Sequence, residues 1–142
     1  MADDLPVPSS GFLLTHFVVA ADVARSRDFY SGVLGGTIVM EGEPTMVKLA
    51  NSWVIINVGG GPTEDKPTVV LEPPRDLDRV SAFLNIRVAD IHATYEQWLS
   101  RGATFLTPPV EHTREIRCYL RDPDGHLIEL GQPKYGPGRD QP

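Results

Sequence analysis

Two stretches of this chain repeat one order of residues, which restricts the fold to a pair of like modules. Residues 12–39, FLLTHFVVAADVARSRDFYSGVLGGTIV, begin with a strand-like apolar run, reach Asp22, and then carry Val23, Phe29, Tyr30, Val33 and Leu34 before Gly35 and Gly36. Residues 82–106, AFLNIRVADIHATYEQWLSRGATFL, repeat it: a strand, Asp90, then Ile91, Tyr95, Trp98 and Leu99, then Gly102. An Asp side chain can accept from the free amides of a first helical turn and faces the positive end of the helix dipole, so Asp22 and Asp90 are predicted to start the two long helices. Gly35 and Gly102 are suitable stops, since a residue just past a helix often takes positive φ. The spacing 91, 95, 98, 99 turns one apolar stripe toward a core.

After each helix the pattern changes to short runs rich in β-branched residues. In the first half these are GTIVME, TMVKLA and SWVIINV; in the second they are ATFLT, EIRCYLR and HLIELG, parted by PPVEHT and by the turn sequence DPDG. Each half reads β-α-β-β-β, an α+β fold of two βαβββ modules with about eight strands. The boundaries are an N-terminal extension over 1–11, a first module over 12–58, a connection over 59–81, a second module over 82–130 and a tail over 131–142. The extension and the tail, rich in Pro, Gly and charge, are expected to be loose or to lie over the surface. Within the connection, TVVL has the makings of a short strand, but the surrounding Gly and Pro favour a long ordered loop.

Acidic residues outnumber Lys plus Arg by 19 to 13, a formal charge of −6 with no basic run, which argues against nucleic acid. No apolar run approaches the roughly 20 residues of a membrane helix, and the N-terminus lacks signal-peptide order, so no membrane partner is expected and the protein reads as soluble and cytoplasmic. The single cysteine, Cys118, alternates with Ile116 and Leu120 and reads as a buried, inert thiol.

The blocks DVARSRDFYSGVLGG, IRVADI, WLSRGA and LRDPDGHLIEL resemble the vicinal oxygen chelate superfamily, which includes glyoxalase I, bleomycin- and fosfomycin-resistance proteins, methylmalonyl-CoA epimerase and extradiol dioxygenases. The resemblance covers roughly residues 12–132. It implies paired βαβββ modules curving around a cavity, a homodimer as the common assembly, and a divalent metal held from the first and fourth strands of each module. Glu129 matches the final carboxylate ligand of that pattern. Elsewhere the chain departs from it: the positions seven residues before each capping Asp, usually His, are Thr15 and Phe83, and the counterpart of Glu129 in the first module is Asn57.

Strand alternation adds its own assignment. Val18, Ala20, Ile86 and Val88 read as helix-facing core, leaving Thr15, Phe17, Asn85 and Arg87 on the cavity side, and His16 is turned toward the packing layer. Trp53 shares a strand face with Ile55 and Asn57 and offers a stacking wall. Arg117 and Tyr119 alternate with Cys118 on the other face. A buried Arg87 would need a carboxylate, from Glu129 or from a ligand. His92, His112 and His126 read as surface or packing residues. The leading reading is a glyoxalase- or bleomycin-resistance-type protein that binds a small organic molecule, a metabolite or an antibiotic, without an obligatory metal. It would do so through Thr15, Phe17, Trp53, Asn57, Asn85, Arg87, Arg117 and Tyr119, with Glu129 as the candidate catalytic group. The alternative is a metal-dependent lyase, isomerase or dioxygenase in which His16 and Glu129 help to hold a divalent ion. A third possibility is metal-free catalysis with Glu129 as general base and Arg87 stabilising an oxyanion.

Overall fold

Both capping aspartates sit in extended backbone, and each accepts a hydrogen bond from the amide three residues on: Arg25 N to Asp22 and Ala93 N to Asp90, both at 3.1 Å. The computed structural model describes residues 4–136. The chain divides into two units between Arg75 and Asp76.

In the first unit, β1 (His16–Val19) leads into α1 (Val23–Asp28), and β2 (Thr37–Met40), β3 (Thr45–Leu49) and β4 (Ser52–Asn57) follow. The sheet order is β1-β4-β3-β2, with β1 parallel to β4 and the other pairs antiparallel. Val18, Ala20, Val47, Val54 and Ile56 are buried, together with Tyr30 from the helical segment. That segment departs from the sequence expectation. α1 has only six residues, and Phe29–Val33 continues it as a wider π-helical turn, with Leu34 N donating to Phe29 O at 3.1 Å. The wider turn accommodates two adjacent large rings, Phe29 and Tyr30, both buried and packed edge to face with centroids 5.0 Å apart.

The second unit repeats the plan. β5 (Leu84–Arg87) and α2 (Ile91–Ser100) are followed by β6 (Thr104–Phe105), β7 (Val110–Glu111), β8 (Glu115–Arg121) and β9 (Leu127–Pro133). The order is β5-β9-β8-β6, β5 lies parallel to β9, and β7 pairs with β8. β7 is the addition to the eight expected strands: two residues of the segment read as a separator pair with Arg117 and Ile116. Ile91 and Trp98 are buried, and the Ile91 amide donates to Gln132 Oε1 at 2.8 Å, which ties α2 to the face of β9 that carries Ile128 and Leu130.

Two further expectations need correction. Leu99 is 43% exposed, so the apolar stripe of α2 ends at Trp98, while Tyr95 packs on Phe105 with ring centroids 4.7 Å apart. Residues 131–133 are not loose tail but the end of β9, where Gly131 and Pro133 oppose Arg117 and Glu115; cross-strand pairing with the long β8 outweighs their poor strand propensity. Residues 137–142, and residues 1–3 of the extension, lie outside the described residues. Residues 59–81 form a loop without a strand, pinned by bridges between Gly60 and Leu71 and between Thr63 and Lys66. Among the described residues no helix is long and apolar enough to cross a membrane.

Candidate functional site: the polar sheet face of the second unit

Strands β9 and β8 bury the apolar residues of one face, β5 half-buries Leu84 and Ile86, and the other face of the three is polar. Ile128, Leu130, Cys118 and Leu120 are buried on the α2 side, so alternation places Asn85, Arg87, Glu129, Tyr119, Arg117 and Glu115 on the opposite side. Register sorts these into two adjacent cross-strand rows. Asn85, Glu129 and Tyr119 stand opposite one another in the first; Arg87, Gly131 and Arg117 do so in the second.

Glu129 is 6% exposed. Its carboxylate accepts from the Asn85 amide nitrogen on one side and from the Tyr119 hydroxyl on the other. Burial and the Glu129 charge both push the Tyr119 phenol above its ordinary value, so it stays a neutral donor. The Tyr119 ring meets Phe83 edge-on at 6.1 Å, and Phe83 is 41% exposed.

The second row is held by a residue outside the sequence assignment. Arg87 Nη1 donates to Glu115 Oε1 at 2.9 Å, and Arg117 Nη1 lies 3.5 Å from Glu115 Oε2. The partner of Arg87 within the chain is therefore Glu115 and not Glu129. Burial alone would raise the Glu115 carboxyl, but the hydrogen bond and charge of Arg87, joined by Arg117, outweigh it and hold the group below the usual carboxylate range. Gly131 makes this bridge possible: a Cβ there would lie 2.0 Å from Arg87 Nη1. Glu115 was legible only as an alternation partner of Arg117, and Gly131 only as a residue of the supposed tail.

The remaining candidates belong to the first unit. Thr15 is exposed just before β1, and Phe17 is 47% exposed. His16 is half-buried and alternates onto the face of Val18, which is buried. Asn57 Oδ1 accepts from the next amide, Val58 N, at 2.9 Å. Trp53 is not an open stacking wall. It is buried, its indole nitrogen donates to Asp4 O at 2.7 Å, and Lys48 Nζ lies 4.3 Å from its ring centroid. The N-terminal segment thus covers it, and Asp4 also pairs with Lys48 at 3.2 Å.

The donors at the positions implied for a divalent ion do not fit one. Phe83 brings a hydrocarbon ring, the Glu129 carboxylate is engaged by Asn85 and Tyr119, and Asn57 is turned to its own strand. Among the described residues no three His, Cys, Asp or Glu side chains group so as to hold a metal.

The chain is 23% identical over 128 residues to a probable lactoylglutathione lyase of Synechocystis sp., covering 85% of this chain and 95% of that protein. Among solved structures it resembles TnmS3, an antibiotic-binding protein from Streptomyces sp. CB03234, with a TM-score of 0.63 at 18% identity, covering 89% of this chain and 99% of that one. It also resembles FosX, a fosfomycin resistance protein from Listeria monocytogenes, with a TM-score of 0.64 at 16% identity over 87% of this chain and 93% of that one. These two likenesses establish the shared fold. With residues 13–130 matching the family model, the chain belongs to the Glyoxalase/Bleomycin resistance protein/Dioxygenase superfamily.

Proposed function

We propose that this protein binds a small organic molecule, a metabolite or an antibiotic, on the polar sheet face of its second unit and needs no metal to do so. The observation that carries this reading is the pair of rows itself: Asn85, Glu129 and Tyr119 beside Arg87, Gly131 and Arg117, with the exposed Phe83 ring at their edge. Convergent polar groups next to an aromatic edge are what a ligand site requires, and these are oriented by one another before any ligand arrives. The Synechocystis relative named as a probable lyase and the antibiotic-binding and resistance proteins sharing the fold make small-molecule recognition the reading to test first.

The test is a thermal-shift panel of metabolites and antibiotics on chelator-treated protein, repeated with Glu129→Gln. Stabilisation by one compound class that is lost in the variant supports the proposal. One tightly bound divalent ion per chain, lost on replacing His16 or Glu129 and required for ligand binding, overturns it in favour of the metal-dependent alternative.

A further inference from the structure

The two rows carry opposite charge, and this bears on the kind of ligand they would accept. The first row holds one formal negative charge, Glu129, contacted by two neutral donors, Asn85 and Tyr119. Among the described residues Glu129 makes no ion pair, although it is 94% removed from solvent. A buried carboxylate held only by neutral donors has no cation in contact with it, a place that a cation brought by a ligand would fill. The rings of Tyr119 and Phe83 stand beside it and offer a π surface to such a cation.

The second row has the reverse balance. Arg87 and Arg117 share the single carboxylate of Glu115, leaving one formal positive charge in excess. Arg87 takes the short contact at 2.9 Å and Arg117 the long one at 3.5 Å, and the Arg117 side chain is 37% exposed. A planar guanidinium held this loosely can present its remaining donors to a second carboxylate. Because Glu129 and Gly131 are two residues apart on β9, the rows are separated by about 6.6 Å.

We propose that the ligand is dipolar, with a cationic nitrogen set against Glu129 and a carboxylate or similar anionic group set against Arg117, roughly 6–7 Å apart. This rests on the small-molecule reading above and narrows it to a ligand class. A ligand with one charge would meet only one row and leave the other as it is in the free protein.

The experiment is calorimetric titration of the full chain with para-aminomethylbenzoate, a rigid dipole of about this span, and with its two single-charge counterparts, para-toluate and benzylamine. The dipolar probe is expected to bind at least about fivefold tighter than either counterpart. That advantage is expected to vanish in Glu129→Gln and in Arg117→Gln, and to persist in Arg75→Gln, which removes an exposed charge outside the two rows. Arg117 is exposed enough to be replaced without disturbing the core, so Arg117→Gln carries the test alone if Glu129→Gln does not fold. Equal binding of a single-charge probe, an advantage that survives both variants, or no binding of any of the three overturns the proposal. If a neutral compound from the thermal-shift panel binds and Glu129→Gln abolishes it, the small-molecule reading stands while the dipolar assignment falls.

Discussion

Gly131 is the residue on which the geometry of the candidate site turns. The atom a new Cβ would strike is the far end of the Arg87 side chain, so Gly131→Ala is expected to move Arg87 off Glu115 rather than to distort the sheet. Arg87 is nearly half exposed, and an ion pair of that kind is worth about 0–1 kcal/mol, so unfolding midpoints should move little while ligand affinity falls. A variant that loses several kcal/mol, or that keeps full affinity, would contradict this role for Gly131. Glu115 supplies a pH signature. Its folded carboxyl lies below the ordinary value of about 4.3, so as pH falls the unfolded chain takes up the proton first. The stabilisation is present above that ordinary value and is lost as pH falls through the lowered folded one. Urea midpoints of Glu115→Gln should therefore fall less steeply than wild type between about pH 6 and pH 3. Equal slopes would remove the ion cluster from the account. Cys118 is buried, and burial followed by the nearby Glu129 charge pushes its thiol up to about 11. A thiol-reactive dye at neutral pH is expected to label it only after denaturation; rapid labelling of native protein would contradict the burial of this face.

At the scale of elements, capping chemistry was readable because it is local. Asp22 and Asp90 each act on an amide three residues away, and nothing distant is needed to see it. The π-helical turn at Phe29–Val33 was not readable, because it follows from burying two adjacent rings against a sheet rather than from any periodicity. The same packing sets an expected cost at Gly36. A Cβ there would approach Val47 Cγ1 to 2.4 Å and the carbonyls of Tyr30 and Lys48 to 2.9 and 3.0 Å. With backbone on two sides the site cannot yield cheaply, so Gly36→Ala should destabilise the protein by about 1–3 kcal/mol, measurable by chemical denaturation. A neutral result would mean that the helical segment packs less closely on β3 than described. Strand alternation was the other dependable guide: it placed Glu129, Arg87 and Asn85 on one polar face from their apolar neighbours alone. It could not pair Arg87 with Glu115, because that contact spans 28 residues and depends on the register of two strands against β9.

For the molecule as a whole, the duplicated topology is the strongest connection between sequence and fold: β1-β4-β3-β2 is matched by β5-β9-β8-β6, each with its first strand parallel to its last. The two halves differ in what they place on the face away from their helices. In the first, Trp53 is covered by the Asp4 segment. In the second, the two charged rows stand together beside an exposed aromatic ring. This asymmetry is why the proposal puts the ligand in the second half, and amide chemical-shift mapping tests that location most directly. Chelator-treated, isotope-labelled protein would be titrated with the compound that stabilises it most in the thermal-shift panel. The expected result is a set of perturbed amides centred on Asn85, Arg87, Arg117, Tyr119 and Glu129, much reduced in Glu129→Gln. Perturbations confined to the first unit, or binding that appears only when a divalent metal is restored, would contradict the account.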